Sequence, residues 1–86
     1  MKTVTTASGF TIEIDEACLD DMELFEQLID VQNRRLGVLP SVVDRILGDK
    51  KNALYEHLRG ENGIVPMTAV LKEVLEIVNL AGGKNS

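Results

Sequence analysis

Tryptophan is missing, and Phe10, Phe25 and Tyr55 are the only aromatic side chains besides one histidine. A core without large rings must be built from leucine, isoleucine and valine, and such a surface offers no platform for stacking nucleic-acid bases. Cys18 is alone, which excludes an internal disulfide and fits a reducing compartment. His57 is also alone of its kind and lies far along the chain from Cys18, so no zinc-ligand spacing exists, and no metal or cofactor is expected. No apolar run is long enough to span a bilayer, and the opening MKTVTTASGF lacks the apolar stretch of a signal peptide. The expected setting is the cytoplasm, away from membranes.

What is present suits one small folded unit. With 86 residues, 44% of them hydrophobic and 27% charged, the chain has the composition of an ordinary globular domain. It has room for one domain, residues 1–86, burying roughly 60% of its unfolded surface. The net charge is −5, unevenly spread: residues 1–33 hold eight acids against Lys2, and residues 34–86 hold eight bases against six acids. An acidic chain repels phosphate backbones, so nucleic acid is not an expected partner. The asymmetry has two readings, a solvated acidic helix face or head-to-tail self-association of an acidic end with a basic middle.

Residues 3–15 read as a β-hairpin. A two-residue Ser8-Gly9 turn would put Val4 opposite Glu13, whereas a three-residue loop, Ala7-Ser8-Gly9, pairs Val4 with Ile12 and turns the apolar side chains one way. Gly9 then takes the left-handed position. A link follows, and Asp20 or Asp21 caps a helix running to about Asn33. Met22, Phe25, Leu28, Ile29 and Gln32 are its expected packing face, with Leu24 and Val31 flanking and Glu23, Glu26, Gln27 and Asp30 toward water.

Gly37 stops that segment, and Pro40 suits the first turn of a second helix with Val42, Val43, Ile46 and Leu47 inward. Gly48 ends it. Asp49 is the expected cap of a third helix that buries Ala53, Leu54 and Leu58. Glu61-Asn62-Gly63 is a turn. Pro66 to Ala81 is the most apolar segment: Met67, Val70, Val74, Ile77, Val78 and Ala81 share a helical face, Leu71 and Leu75 form a second ridge, and Lys72, Glu73, Glu76 and Asn79 remain for water. The expected class is α+β, mainly α, a hairpin followed by a four-helix bundle-like arrangement over residues 20–81 and a flexible tail over residues 82–86.

No catalytic constellation emerges. Acids around Cys18 raise a thiol pKa rather than activate it. Asp20, Asp21, Glu23 and Glu26 lie in helical periodicity, not in a calcium loop. Gly60 to Gly63 follows a helix rather than a strand, so it is no phosphate loop. The short pair of helices over residues 40–59 reads as structural packing rather than a DNA-binding helix-turn-helix. The chain reads as a non-enzyme.

The segments FTIEID, LDDMELFEQL, LPSVVDRILGD and YEHLRGENGIVP, followed by an amphipathic helix and the ending GKNS, resemble small tail-module proteins of long-tailed phages and prophages of Gram-positive bacteria, specifically tail assembly chaperones. The resemblance implies a mainly helical protein, acting in the host cytoplasm, that self-associates and coats the tape measure protein during tail assembly. It also implies a longer form made by ribosomal slippage, for which Gly83-Lys84 has compatible codons; a flexible tail is the plainer reading of the same residues. The family supplies no residue-by-residue site. On apolarity, Met67, Leu71, Leu75 and Leu80 are the expected partner-binding residues, recognising an apolar helix by helix-in-groove packing. A small prophage-encoded adaptor or regulatory module that docks through the same face is the alternative.

Overall fold

The computed structural model describes residues 1–82. Strands β1 (Lys2–Thr5) and β2 (Thr11–Ile14) pair antiparallel with Val4 opposite Ile12. Side chains alternate along each strand, so Val4, Ile12 and Ile14 all face the core and are buried. The loop is the three-residue form: the Thr6 amide donates to the Phe10 carbonyl at 2.9 Å, the Gly9 amide donates to the Thr6 carbonyl at 2.9 Å, and Gly9 has φ +92°. The expected link is a short 3-10 turn, Glu16–Leu19, whose start is held by the Asp15 carboxylate accepting from the Ala17 amide at 3.0 Å.

Helix α1 (Met22–Gln32) is capped by Asp21, which accepts from the amides of Glu23 and Leu24. Arg45 reaches the same Asp21 carboxylate at 2.9 Å and Glu23 at 3.3 Å, fixing the start of α1 against the end of α2 (Leu39–Leu47). In α2 Pro40 sits in the first turn, and Leu39, Val42, Val43, Ile46 and Leu47 are buried. Gly48, at φ +54°, closes it.

Asp49 does not cap α3 (Lys51–Leu58). A 3-10 turn over Gly48–Lys50 runs straight into this helix, and the Lys51 amide donates to the Gly48 carbonyl, so a backbone oxygen takes the place of the carboxylate. Leu54 is buried and Leu58 partly so, but Ala53 is exposed, because the helix meets the core along a strip narrower than the sequence suggests. The Asn62-Gly63 turn forms, with the Ile64 amide donating to Asn62 Oδ1 at 3.0 Å and Gly63 at φ +81°.

Helix α4 (Met67–Gly82) packs on β1, α2 and α3 and carries the centre of the core, with Val70, Val74, Ile77 and Ala81 buried. Gly82, assigned to the tail, is its last residue; the rest of the expected tail lies outside the described residues. Among the described residues the fold is thus a mainly helical α+β arrangement of four α-helices with one antiparallel hairpin packed on α4.

The α1 packing face is a correction. Leu24 and Val31 are buried and Leu28 is partly so, whereas Met22, Phe25 and Ile29 are 65%, 55% and 42% exposed and Gln32 is exposed. A helix turns about 100° per residue, which sets Met22, Phe25 and Ile29 opposite Leu24 and Val31. Both faces have helical spacing, and neighbours choose between them. Gln27, expected in water, exchanges hydrogen bonds with Ser41 Oγ of α2 at 3.1 and 3.3 Å, on the side of the helix that carries Leu24.

Candidate functional site

The four expected partner-binding residues divide between two sides of α4. Met67, Leu71 and Leu75 follow one another at four-residue steps and form a ridge, while Leu80 lies about 140° around the helix from Leu75. Leu71 is half-buried against the core, Leu75 is half-buried, and Met67 and Leu80 are exposed. The ridge is therefore partly covered by the chain itself. An aspartate at Leu71 would remove packing as well as contact surface, so it is no clean probe of binding.

Met67 stands at the edge of an apolar cleft of about 290 Å³, walled by Leu36, Leu39, Val43, Tyr55 and Val65. Each wall has a local cause. Leu36 lies in the 3-10 turn Leu36–Val38 that follows Arg34, a residue at φ +67° where the chain reverses out of α1. Leu39 and Val43 are one helical turn apart on α2. Val65 extends from the Asn62-Gly63 turn, which Arg59 fastens by donating to the Gly63 carbonyl at 2.7 Å. Arg59 also pairs with Glu56 at 2.7 Å, and that hydrogen bond and charge hold the Glu56 carboxyl below its ordinary pKa. Ile64, carried on the same turn, is 59% exposed, and Met67 is 52% exposed. Such a surface suits an apolar side chain or helix edge from outside.

The second unpartnered apolar surface is the α1 stripe of Met22, Phe25 and Ile29, flanked by Glu23, Glu26 and Asp30. Sequence reasoning placed this stripe in the core. Its signal was nevertheless present, since α1 has two apolar stripes on opposite sides and a small domain with one core cannot cover both.

The hairpin loop forms a third feature. Glu73 of α4, expected in water, is only 3% exposed and accepts from Thr6 Oγ1 at 2.7 Å. Glu76 accepts from the Ala7 amide at 2.7 Å. His57 Nε2 lies 3.0 Å from the Ser8 carbonyl and 3.2 Å from Ser8 Oγ, with its ring 5.5 Å from that of Phe10. The Ser8–His57 contact resembles a nucleophile–base pair, but the shorter of the two contacts is to a carbonyl, which only accepts, so in that hydrogen bond Nε2 is the donor. These groups clasp the loop.

Cys18 is half-buried, and burial first, then the charges of Asp15 and Asp21, push its thiol pKa up, the opposite of an activated nucleophile. Among the described residues no group of three or more His, Cys, Asp or Glu side chains is arranged to hold a metal ion, and no helix is long and apolar enough to cross a membrane. Comparison with known proteins finds no match: no family model, curated protein or solved structure is similar to this chain.

Proposed function

We propose that this chain is a binding protein for an apolar helix of a larger partner and, on the resemblance of its segments, a phage or prophage tail assembly chaperone that self-associates and holds the tape measure protein in the host cytoplasm. The observation that carries the reading is the open apolar cleft walled by Leu36, Leu39, Val43, Tyr55 and Val65, with Met67 at its edge. A tape measure protein is a long apolar helix that aggregates when unescorted, and a cleft of this size takes one or two of its side chains per chaperone copy. Leu71 and Leu75, farther along α4, are not among the residues that wall the cleft. Leu80, on the other side of the helix, is left out of it.

Co-expression with the tape measure protein that the reading names as partner tests it. Capture of that protein is expected with the wild-type chain and with Ala53→Asp, an exposed control on α3. Met67→Asp is expected to reduce capture at least tenfold without loss of helical circular dichroism. Equal capture by Met67→Asp and wild type overturns the cleft as the binding site, and no capture by either overturns the tape measure protein as the partner.

A further inference from the structure

The turn that leads into the cleft wall at Val65 contains the one Asn-Gly pair of the sequence, Asn62-Gly63, and both residues are exposed. Asn62 Cγ and the Gly63 amide nitrogen are the two atoms that would close a five-membered imide ring, and Gly63 has no Cβ to hinder their approach. The carboxamide is folded back over the loop. Its Oδ1 accepts from the Ile64 amide at 3.0 Å and lies 3.1 Å from where a Cβ on Gly60 would stand, so glycine at that position leaves it room. A donor on that oxygen stabilises the negative charge it gains when Cγ is attacked. Two hydrogen bonds act as the brake: the Gly63 amide donates to the Gly60 carbonyl at 2.9 Å, and Arg59 donates to the Gly63 carbonyl at 2.7 Å. We infer that Asn62 is a site of spontaneous covalent modification, converting to aspartate and isoaspartate through a cyclic imide with Gly63 each time the Gly63 amide leaves the Gly60 carbonyl.

The reaction needs only the chain and water. The Gly63 nitrogen bonds to Asn62 Cγ, the side-chain amino group leaves, and the proton lost by Gly63 ends on the departing ammonia. Water then adds across one of the two imide C–N bonds. Cleavage at Cγ leaves aspartate on an unchanged main chain. Cleavage at the former main-chain carbonyl leaves isoaspartate, with the main chain rerouted through Cβ. Both products add a negative charge on the turn beside the apolar cleft. Isoaspartate also lengthens by one carbon a loop that is closed tightly, with the Gly60 amide donating to the Ile64 carbonyl at 2.9 Å. Asn52 and Asn79 lie inside helices and precede residues whose Cβ hinders the same attack. The modification stands apart from the proposed function; only its effect on partner capture, through Val65, rests on that reading.

Peptide mapping by mass spectrometry tests it, on the purified full-length chain aged at physiological temperature in heavy-oxygen water. Asn62 is expected to convert at least tenfold faster than Asn52 or Asn79, because helix amides open less often than those of an exposed turn. Each product is expected to carry one heavy oxygen taken from the water. Arg59→Ala loosens the turn and is expected to speed conversion about fivefold, since the rate follows the open population. Asn62→Gln would need a six-membered ring and is expected to stay unconverted over the same period. Conversion at Asn62 no faster than at Asn52 and Asn79, or seen only after the chain is unfolded in urea, overturns the inference. An Arg59→Ala chain with wild-type circular dichroism that converts at the wild-type rate overturns Arg59 as part of the brake.

Discussion

Thr6 Oγ1 and Glu73 Oε1, sixty-seven residues apart in the chain, are joined by a buried 2.7 Å hydrogen bond that holds the hairpin loop on α4. A carboxylate at this depth is tolerated only while a donor faces it. Thr6→Val removes the donor and is expected to destabilise the fold by about 1–3 kcal/mol. Adding Glu73→Met removes the stranded carboxylate and should recover most of that loss. Urea unfolding of the two single variants and the double variant measures the coupling. A double variant no more stable than Thr6→Val would show that the bond is not what Glu73 contributes.

The start of α1 rests on Asp21, which caps the helix and receives Arg45. Asp21→Ala is expected to cost about 1 kcal/mol, the usual worth of an N-cap, whereas Asp21→Asn keeps a capping oxygen and should lose only a few tenths. Thermal melts of the two variants compare the effects. Equal losses would assign the stabilisation to the Arg45 ion pair rather than to the cap.

Gly9 and Gly37 both have open space where a Cβ would stand, but only Gly9 has a positive φ. Gly9→Ala is therefore expected to destabilise by about 1 kcal/mol through backbone strain alone, while Gly37→Ala should be neutral or stabilising by up to ~1 kcal/mol. Denaturant midpoints decide between them. A harmless Gly9→Ala would mean that the loop can adopt a different turn.

Cys18 should react slowly with thiol reagents. Its pKa is raised by burial and by the charges of Asp15 and Asp21, so the rate of alkylation should reach half-maximum at a pH above the ordinary thiol value of 9.0. Asp15→Asn removes one of the charges and should move that midpoint down. The linkage has a definite sign: with the folded pKa above the unfolded one, the neutral thiol's contribution to stability is present below pH 9.0 and is lost as pH rises through the folded value. A midpoint that Asp15→Asn leaves in place would limit the causes to burial and the Asp21 charge.

The hairpin register, the Gly9 loop, the helix break at Gly48 and the entry at Pro40 were all legible because each rests on a local rule: side-chain alternation, glycine's access to positive φ, proline's fixed φ. The apolar character of α4 was equally plain. Helical periodicity, however, states which residues share a face and is silent on where the neighbouring helix lies. Met22, Phe25 and Ile29 satisfy it as well as Leu24 and Val31 do, and it is the packing of Leu24 and Val31 in the shared core, with Ser41 and Arg45 of α2 bonding the helix alongside, that leaves the first set in water. Glu73 has the same history. Nothing adjacent to it in the chain calls for burial, and its donor arrives from the hairpin at the other end of the molecule. Local conformational preferences are thus written residue by residue, while the choice of which apolar stripe is covered, and of which carboxylate goes inside, belongs to contacts between distant segments that exist only once the helices have packed.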